Sequence, residues 1–239
     1  MRDTSQAPAL SLWLRELLYL PAIWCAPLRR ARAITTDFTV DDRLPPVMVL
    51  PGIMSSDYAT SLLRRSLSAS GYDAHRSKLG FITGITPENF AQAEARLNEL
   101  AQRYDDKIVL IGWSLGGIFA RVLAQRHPDK VRLVMTLASP FSGSRRANNA
   151  WRLYNLINDH TVDEPSLPDD PSVKPPVHTI AVSSLIDGVV APDCSWGKAG
   201  ERDVATYLNV RHFAFGSTRR AADGVINLLA EELAMRAPR

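Results

Sequence analysis

Cysteine is nearly absent: the chain of 239 residues has two, Cys25 and Cys194, far apart and without a C-x-x-C pair. That excludes a disulfide framework and a zinc site built on cysteine pairs, and makes a reduced, cytoplasmic setting the expectation. Charge of one sign is lacking too, since 28 basic and 25 acidic side chains leave a net charge of +3. A mixed surface with no long basic run is not a nucleic-acid footprint. No metal-ligand spacing, Rossmann glycine fingerprint or phosphate-binding Walker sequence occurs, so no cofactor is implied. No solenoid-type repeat is found, and 46% hydrophobic with 22% charged residues excludes disordered, collagen-like and coiled-coil architectures. What remains is one globular domain, of a size that one core fills, with room for an insert.

A hydrophobic run long enough to span a bilayer is also missing. Leu10 to Trp24 is the most apolar stretch, but Arg15 and Glu16 stand inside it and Pro21 breaks it, so it falls short of the ~20 apolar residues a span requires. Glu16 inside the apolar stretch, and Arg29, Arg30 and Arg32 behind it, argue against an export signal. Residues 1–32 are therefore expected to form an apolar helix and a basic segment. This unit either docks on the domain or makes peripheral membrane contact through residues 10–32, its Trp and Leu side chains dipping in and its arginines meeting anionic lipid.

From residue 45 onward, short β-branched apolar runs alternate with longer segments of helical period, the pattern of an α/β protein with a mostly parallel, doubly wound sheet. Strands are expected at Val47 to Leu50, weakly at Tyr72 to Arg76, and at Lys107 to Gly112, Val131 to Ala138, Val177 to Ser183 and Ala205 to Val210. Asp57 is expected to cap a helix that runs through Leu62, Leu63 and Leu67 and stops near Gly71. Thr86-Pro87-Glu88 offers a hydroxyl cap, a proline at the first helical position and an early acid for the next helix. Further helices are expected over Leu115 to Arg126 and Ala221 to Met235. Residues 33–239 then form the domain, and residues 140–176, too long for an ordinary connection and crowded with proline and aspartate toward their end, form a cap-like insertion.

Gly112-Trp113-Ser114-Leu115-Gly116-Gly117 falls where a buried strand ends and an amphipathic helix begins, the context a G-x-S-x-G match must have. A serine held in a strained turn between strand and helix leaves no room for side chains two positions before and two after it, and Gly112 and Gly116 fill those places. The turn lifts the hydroxyl clear of the sheet and points the first N–H groups of the helix at a reacting carbonyl. Ser114 is the candidate nucleophile.

These residues resemble the α/β-hydrolase superfamily, and the order and spacing of elements extend the likeness over most of residues 45 to 236. Val47-Met48-Val49-Leu50-Pro51-Gly52-Ile53 is similar to the lipase-type strand and oxyanion loop, with Pro51 where many relatives carry His. The family's oxyanion donors map to the backbone N–H groups of Ile53 and Leu115. Trp113 to Gly117, with Ala138-Ser139-Pro140-Phe141, is similar to bacterial lipase-like and esterase-like hydrolases and to the hydrolase part of GPI inositol-deacylases.

The fold so implied demands the chain order serine, acid, histidine. Asp187, in Ser183-Ser184-Leu185-Ile186-Asp187-Gly188-Val189-Val190, resembles the family's acid loop, with Asp193 as the fallback. Among five histidines, His75 precedes the serine and His127 ends the helix after it. His160 and His178 precede the acid, and His178 starts a strand. His212, beyond the last strand, is the candidate base. The resemblance implies a serine hydrolase acting on a carboxylic ester, a small molecule or lipid, through an acyl-enzyme. The insertion carries Trp151, Leu153, Tyr154, Leu156 and Ile157 on one helical face, which either packs on the body or lines a pocket for an apolar acyl group. Trp113, Trp151 and Tyr154 are the candidate substrate contacts. An acyltransferase with the same triad, or a binding protein that kept the fold without catalysis, are the alternatives.

Overall fold

The computed structural model of the chain describes residues 6–34 and 44–236. Six strands form one sheet: β1 (Val47–Leu50), β2 (Ala74–Arg76), β3 (Ile108–Trp113), β4 (Val131–Leu137), β5 (His178–Ser183) and β6 (Val204–Tyr207). They run parallel in the order β2-β1-β3-β4-β5-β6. Parallel strands covered on both faces need apolar side chains on both, and every residue of β1 and β3 is buried.

Eight α-helices accompany the sheet among the described residues: α1 (Leu10–Glu16), α2 (Leu20–Trp24), α3 (Ser61–Ala69), α4 (Pro87–Tyr104), α5 (Leu115–Arg126), α6 (Trp151–Ile157), α7 (Pro192–Trp196) and α8 (Arg219–Ala234). Because strand side chains alternate between faces, the sheet divides the core in two. Val47, Val49, Val109, Ile111 and Trp113 meet Leu63 and Leu67 of α3 and Val225, Ile226 and Leu229 of α8. Met48, Leu50, Ile108, Leu110 and Val134 meet Phe90, Leu97 and Leu100 of α4 and Phe119 and Leu123 of α5. The chain leaves β1 for the edge strand β2 on one side and then crosses to β3 on the other. The crevice at the carboxyl ends of β1 and β3 is thus the topological switch point, where ligands bind in such sheets.

The helix signals are met at α4, where the Thr86 hydroxyl accepts from the Asn89 N–H and the Asn89 side chain accepts from the Thr86 N–H. Asp57 is a correction. It caps no helix: α3 starts at Ser61, and the Asp57 carboxylate instead accepts from the N–H groups of Ser77 and Lys78 and the Ser77 hydroxyl, pinning the loop after β2. A second correction is β6, which ends at Tyr207 because the Leu208 N–H still reaches the Ser183 carbonyl while the Val210 N–H turns back to Leu208.

Residues 1–5, 35–43 and 237–239 of the expected segments lie outside the described residues. Residues 140–176 contain α6 and, after it, a proline-rich run that lies against α5. Arg121, fully buried on α5, donates to the carbonyls of Pro171, Ser172, Val173 and Glu201 and lies over the Phe141 ring. Burial pushes this guanidinium down to about 10, so it remains a cation at neutral pH.

Residues 6–34 form a strap that starts beside the loops after β5 and β6 and runs on over α3 and the start of α8. Its inner side carries Glu16 and Ala26, both buried, while Tyr19, Ile23 and Ile34 pack on the core. Asn149 donates to the Pro8 carbonyl, and Arg65 donates to the carbonyls of Ala26 and Arg29. The outer side leaves Leu10, Leu14, Leu18, Trp24 and Leu28 between 51% and 83% exposed. No helix among the described residues is long and apolar enough to cross a membrane.

Candidate active site

The turn from β3 into α5 has the strain its sequence calls for. Ser114 adopts φ 54°, ψ −121°, a conformation that costs a side chain roughly 1–3 kcal/mol and persists only where neighbours enforce it. A Cβ on Gly112 would sit 2.2 Å from the Gly116 carbonyl oxygen, and one on Gly116 would sit 2.4 Å from that of Leu50. The two glycines therefore let the helix start pass directly over β3 and β1, which is what raises Ser114 at the switch point.

Two later loops bring their side chains to it. His212 Nδ1 lies 2.8 Å from Asp187 Oδ2, and His212 Nε2 lies 3.0 Å from Ser114 Oγ. An ionised carboxylate only accepts, so the imidazole proton sits on Nδ1 and leaves Nε2 as acceptor for the serine hydroxyl. The other oxygen of Asp187 accepts from the N–H groups of Val189 and Val190 at 2.7 and 2.8 Å. All three side chains are buried, with residual exposures of 6% for Ser114, 1% for Asp187 and 2% for His212.

The remaining histidines are engaged elsewhere, and the fallback acid stands apart from the site. His75 bonds Tyr104, His127 bonds Glu94, His160 bonds Tyr154 and His178 bonds Glu232. Asp193 is exposed in the first turn of α7.

Beside Ser114 opens a cavity of about 130 Å³ whose walls include Ile53, Leu115, Ile118, Val122, Trp151 and Tyr154. Leu115 is the first residue of α5, and a first-turn N–H has no carbonyl of its own helix to reach. Ile53 lies in the loop after β1, just before Met54 at φ 54°. Burial pushes the Tyr154 phenol up, and its hydroxyl lies 2.8 Å from His160 Nε2.

Two expectations need correction. Trp113 lines no part of the cavity: strand alternation turns it to the α3 and α8 face, where it is 2% exposed and its indole N–H donates to the His212 carbonyl at 3.0 Å. Trp113 supports the histidine from beneath. The apolar face of the insertion is also divided. Trp151 and Tyr154 face the cavity, whereas Leu153 and Leu156 are 44% and 81% exposed.

Sequence reasoning missed Glu16. Its carboxylate, 0% exposed, accepts from the backbone N–H groups of Gly188 and His212 at 3.0 Å each and of Phe213 at 3.2 Å. The one signal was an acid, beside Arg15, inside the most apolar stretch of the chain.

Comparison with known proteins bears on the fold. A family model described as alpha/beta hydrolase fold matches residues 82–160, a stretch that holds Ser114 but stops short of Asp187 and His212. A pimeloyl-[acyl-carrier protein] methyl ester esterase of Aromatoleum aromaticum is 44% identical over 68 residues, which cover 28% of this chain and 27% of that protein. The match thus spans only about a quarter of that relative's length. Among solved structures, the mature lipase BlEst2 of Bacillus licheniformis superposes with a TM-score of 0.55 at 17% identity, covering 84% of this chain and 96% of that one. A structure from a study of two metagenome-derived lipolytic enzymes, LipS and LipT, gives 0.58 at 16% identity, covering 86% and 98%. At such identities the likeness establishes the fold.

Proposed function

Because this chain has the α/β-hydrolase fold, we propose that it is a serine hydrolase that cleaves a carboxylic ester through an acyl-enzyme on Ser114. The observation that carries the proposal is the continuous relay from Ser114 Oγ through His212 to Asp187, with links of 3.0 and 2.8 Å. A serine hydroxyl is a weak nucleophile at neutral pH and needs a base within hydrogen-bond reach that a third group orients. As Oγ attacks the ester carbon, its proton passes to Nε2, and Asp187 steadies the imidazolium. The oxyanion meets the N–H groups of Ile53 and Leu115, preorganised donors of the kind that stabilise such charge. His212 then gives its proton to the leaving alkoxide. Water, deprotonated by His212 in turn, attacks the acyl-enzyme; the acid leaves and the proton returns to Ser114.

The mostly apolar walls beside the serine support an apolar acyl group, since side chains such as Ile118, Val122, Trp151 and Tyr154 bury hydrocarbon, with Arg145, Asn148 and Asp169 also on the lining. The test is a fluorophosphonate probe followed by peptide mapping, with a series of p-nitrophenyl esters of graded acyl length. The expected result is a single adduct on Ser114 and a kcat/KM that rises with each added methylene until the cavity is full. Each methylene adds roughly 0.8 kcal/mol of burial, a few-fold in rate. A probe that leaves Ser114 untouched overturns the assignment, and a flat acyl series overturns the apolar pocket.

The strap supports peripheral contact with an anionic lipid surface as part of the same reading. Leu10, Leu14, Leu18, Trp24 and Leu28 are exposed, together with Arg15, Arg30 and Arg32, and the one acid of the strap, Glu16, is buried. Apolar burial plus about 1 kcal/mol per arginine near an anionic surface suits an interfacial segment. Co-sedimentation is expected with phosphatidylserine vesicles, weaker with phosphatidylcholine alone, and lost in a Leu14→Ser, Leu18→Ser, Trp24→Ser variant. Equal recovery in the supernatant with both vesicle types overturns this part.

A further inference from the structure

We infer that Glu16 is a positioning residue for the reaction, a clamp on the N-terminal strap that holds the acid loop and the histidine loop in register. The inference rests on the reading of Ser114, Asp187 and His212 as the catalytic residues. Glu16 Oε1 accepts from the N–H of Gly188, next to Asp187, and from the N–H of His212 itself, both at 3.0 Å. One oxygen therefore bridges the two loops that must meet for Nδ1 to face its carboxylate. Oε2 accepts from the Phe213 N–H at 3.2 Å. His212 and Phe213 open a short 3-10 turn, His212–Ala214, whose first N–H groups have no partner within the turn. An acid arriving from far along the chain supplies what a local cap otherwise would.

The surroundings are shaped for this contact. A Cβ on Gly188 would lie 2.4 Å from the Leu12 carbonyl oxygen and 2.8 Å from Glu16 Cγ, so only glycine lets the strap come so close. Asn149 ties the same two segments, its amide donating to the carbonyls of Pro8 and Gly188. A carboxylate buried at 0% exposure is costly unless its lone pairs are used, and here three N–H donors use them. His212 is fixed from the other side by Trp113, whose indole donates to its carbonyl. The imidazole is thus held at both backbone ends, with Glu16 setting its position relative to Asp187.

The test compares the full chain with Glu16→Gln and Glu16→Ala. For each, the rate constant of fluorophosphonate labelling, kcat and KM on a soluble p-nitrophenyl ester, and the melting temperature are measured, with kinetics taken well below melting. Gln keeps one carbonyl oxygen to bridge Gly188 and His212 and loses the Phe213 bond; Ala loses the bridge. Small misplacements of reacting groups cost rate steeply, so kcat and labelling are expected to fall about 10-fold in the Gln variant and about 100-fold in the Ala variant, with KM within about threefold. Partial recovery by Gln relative to Ala marks the bridging oxygen. If only the melting temperature falls, with kcat and labelling rate at parent level in the folded Gln variant, Glu16 is a structural anchor and the inference is overturned. A rise in KM at unchanged kcat overturns it too. A parent that takes up no probe at Ser114 overturns the serine-hydrolase reading itself, and the inference with it.

Discussion

Ser114→Ala is expected to abolish fluorophosphonate labelling and to lower ester turnover by roughly 10⁵- to 10⁶-fold while the protein stays folded. The size of the loss follows from what one hydroxyl does here. His212 Nε2 has Ser114 Oγ as its partner at 3.0 Å, and Asp187 is committed to Nδ1, so removing Oγ leaves the base no nucleophile to activate. Residual turnover then comes only from water, from the proposed oxyanion donors and from substrate binding. The fold survives because the elbow is enforced by its neighbours rather than by the hydroxyl. Gly112 and Gly116 pack against backbone, and the Ser114 N–H stays bonded to the Leu137 carbonyl whatever the side chain. Labelling of the alanine variant at the parent level removes Ser114 from the account.

Why some of this is legible in sequence and some is not comes down to the range of the interactions. The runs Val47 to Leu50 and Ile108 to Ile111 announce buried parallel strands because both faces must be apolar, a local demand. The elbow announces itself for a local steric reason, carried by Gly112 and Gly116. His212 and Asp187 lie 98 and 73 residues from Ser114, and no local pattern joins them; the chain-order rule of the fold was needed to pair them. Asp57 had the look of a cap, yet partners 20 and 21 residues away took its oxygens. Trp113 stands beside the nucleophile in sequence, but a strand turns successive side chains to opposite faces, so adjacency along the chain became separation across the sheet. Glu16 is the extreme case. Its three donors lie 172, 196 and 197 residues on, and a buried acid shows its purpose only when the loops it joins are folded.

Asp187→Asn tests the same long-range geometry through a change of one atom. Oδ1 of Asp187 is fixed by the N–H groups of Val189 and Val190 at 2.7 and 2.8 Å, and Oδ2 faces His212 Nδ1 at 2.8 Å. An asparagine must place its carbonyl oxygen where two N–H groups already point. The opposite orientation sets its NH₂ against both donors and leaves them unsatisfied, at about 1–3 kcal/mol each. With the oxygen so placed, the amide N–H groups face Nδ1, which then has to accept. The imidazole proton moves to Nε2 and points at Ser114, so the base is lost without any displacement of heavy atoms. Turnover and labelling rate are expected to fall about 10⁴-fold, with the melting temperature changed by only a few degrees because both N–H bonds to Val189 and Val190 persist. A rate near that of the parent means the proton still resides on Nδ1, and some group other than Asp187 is orienting His212.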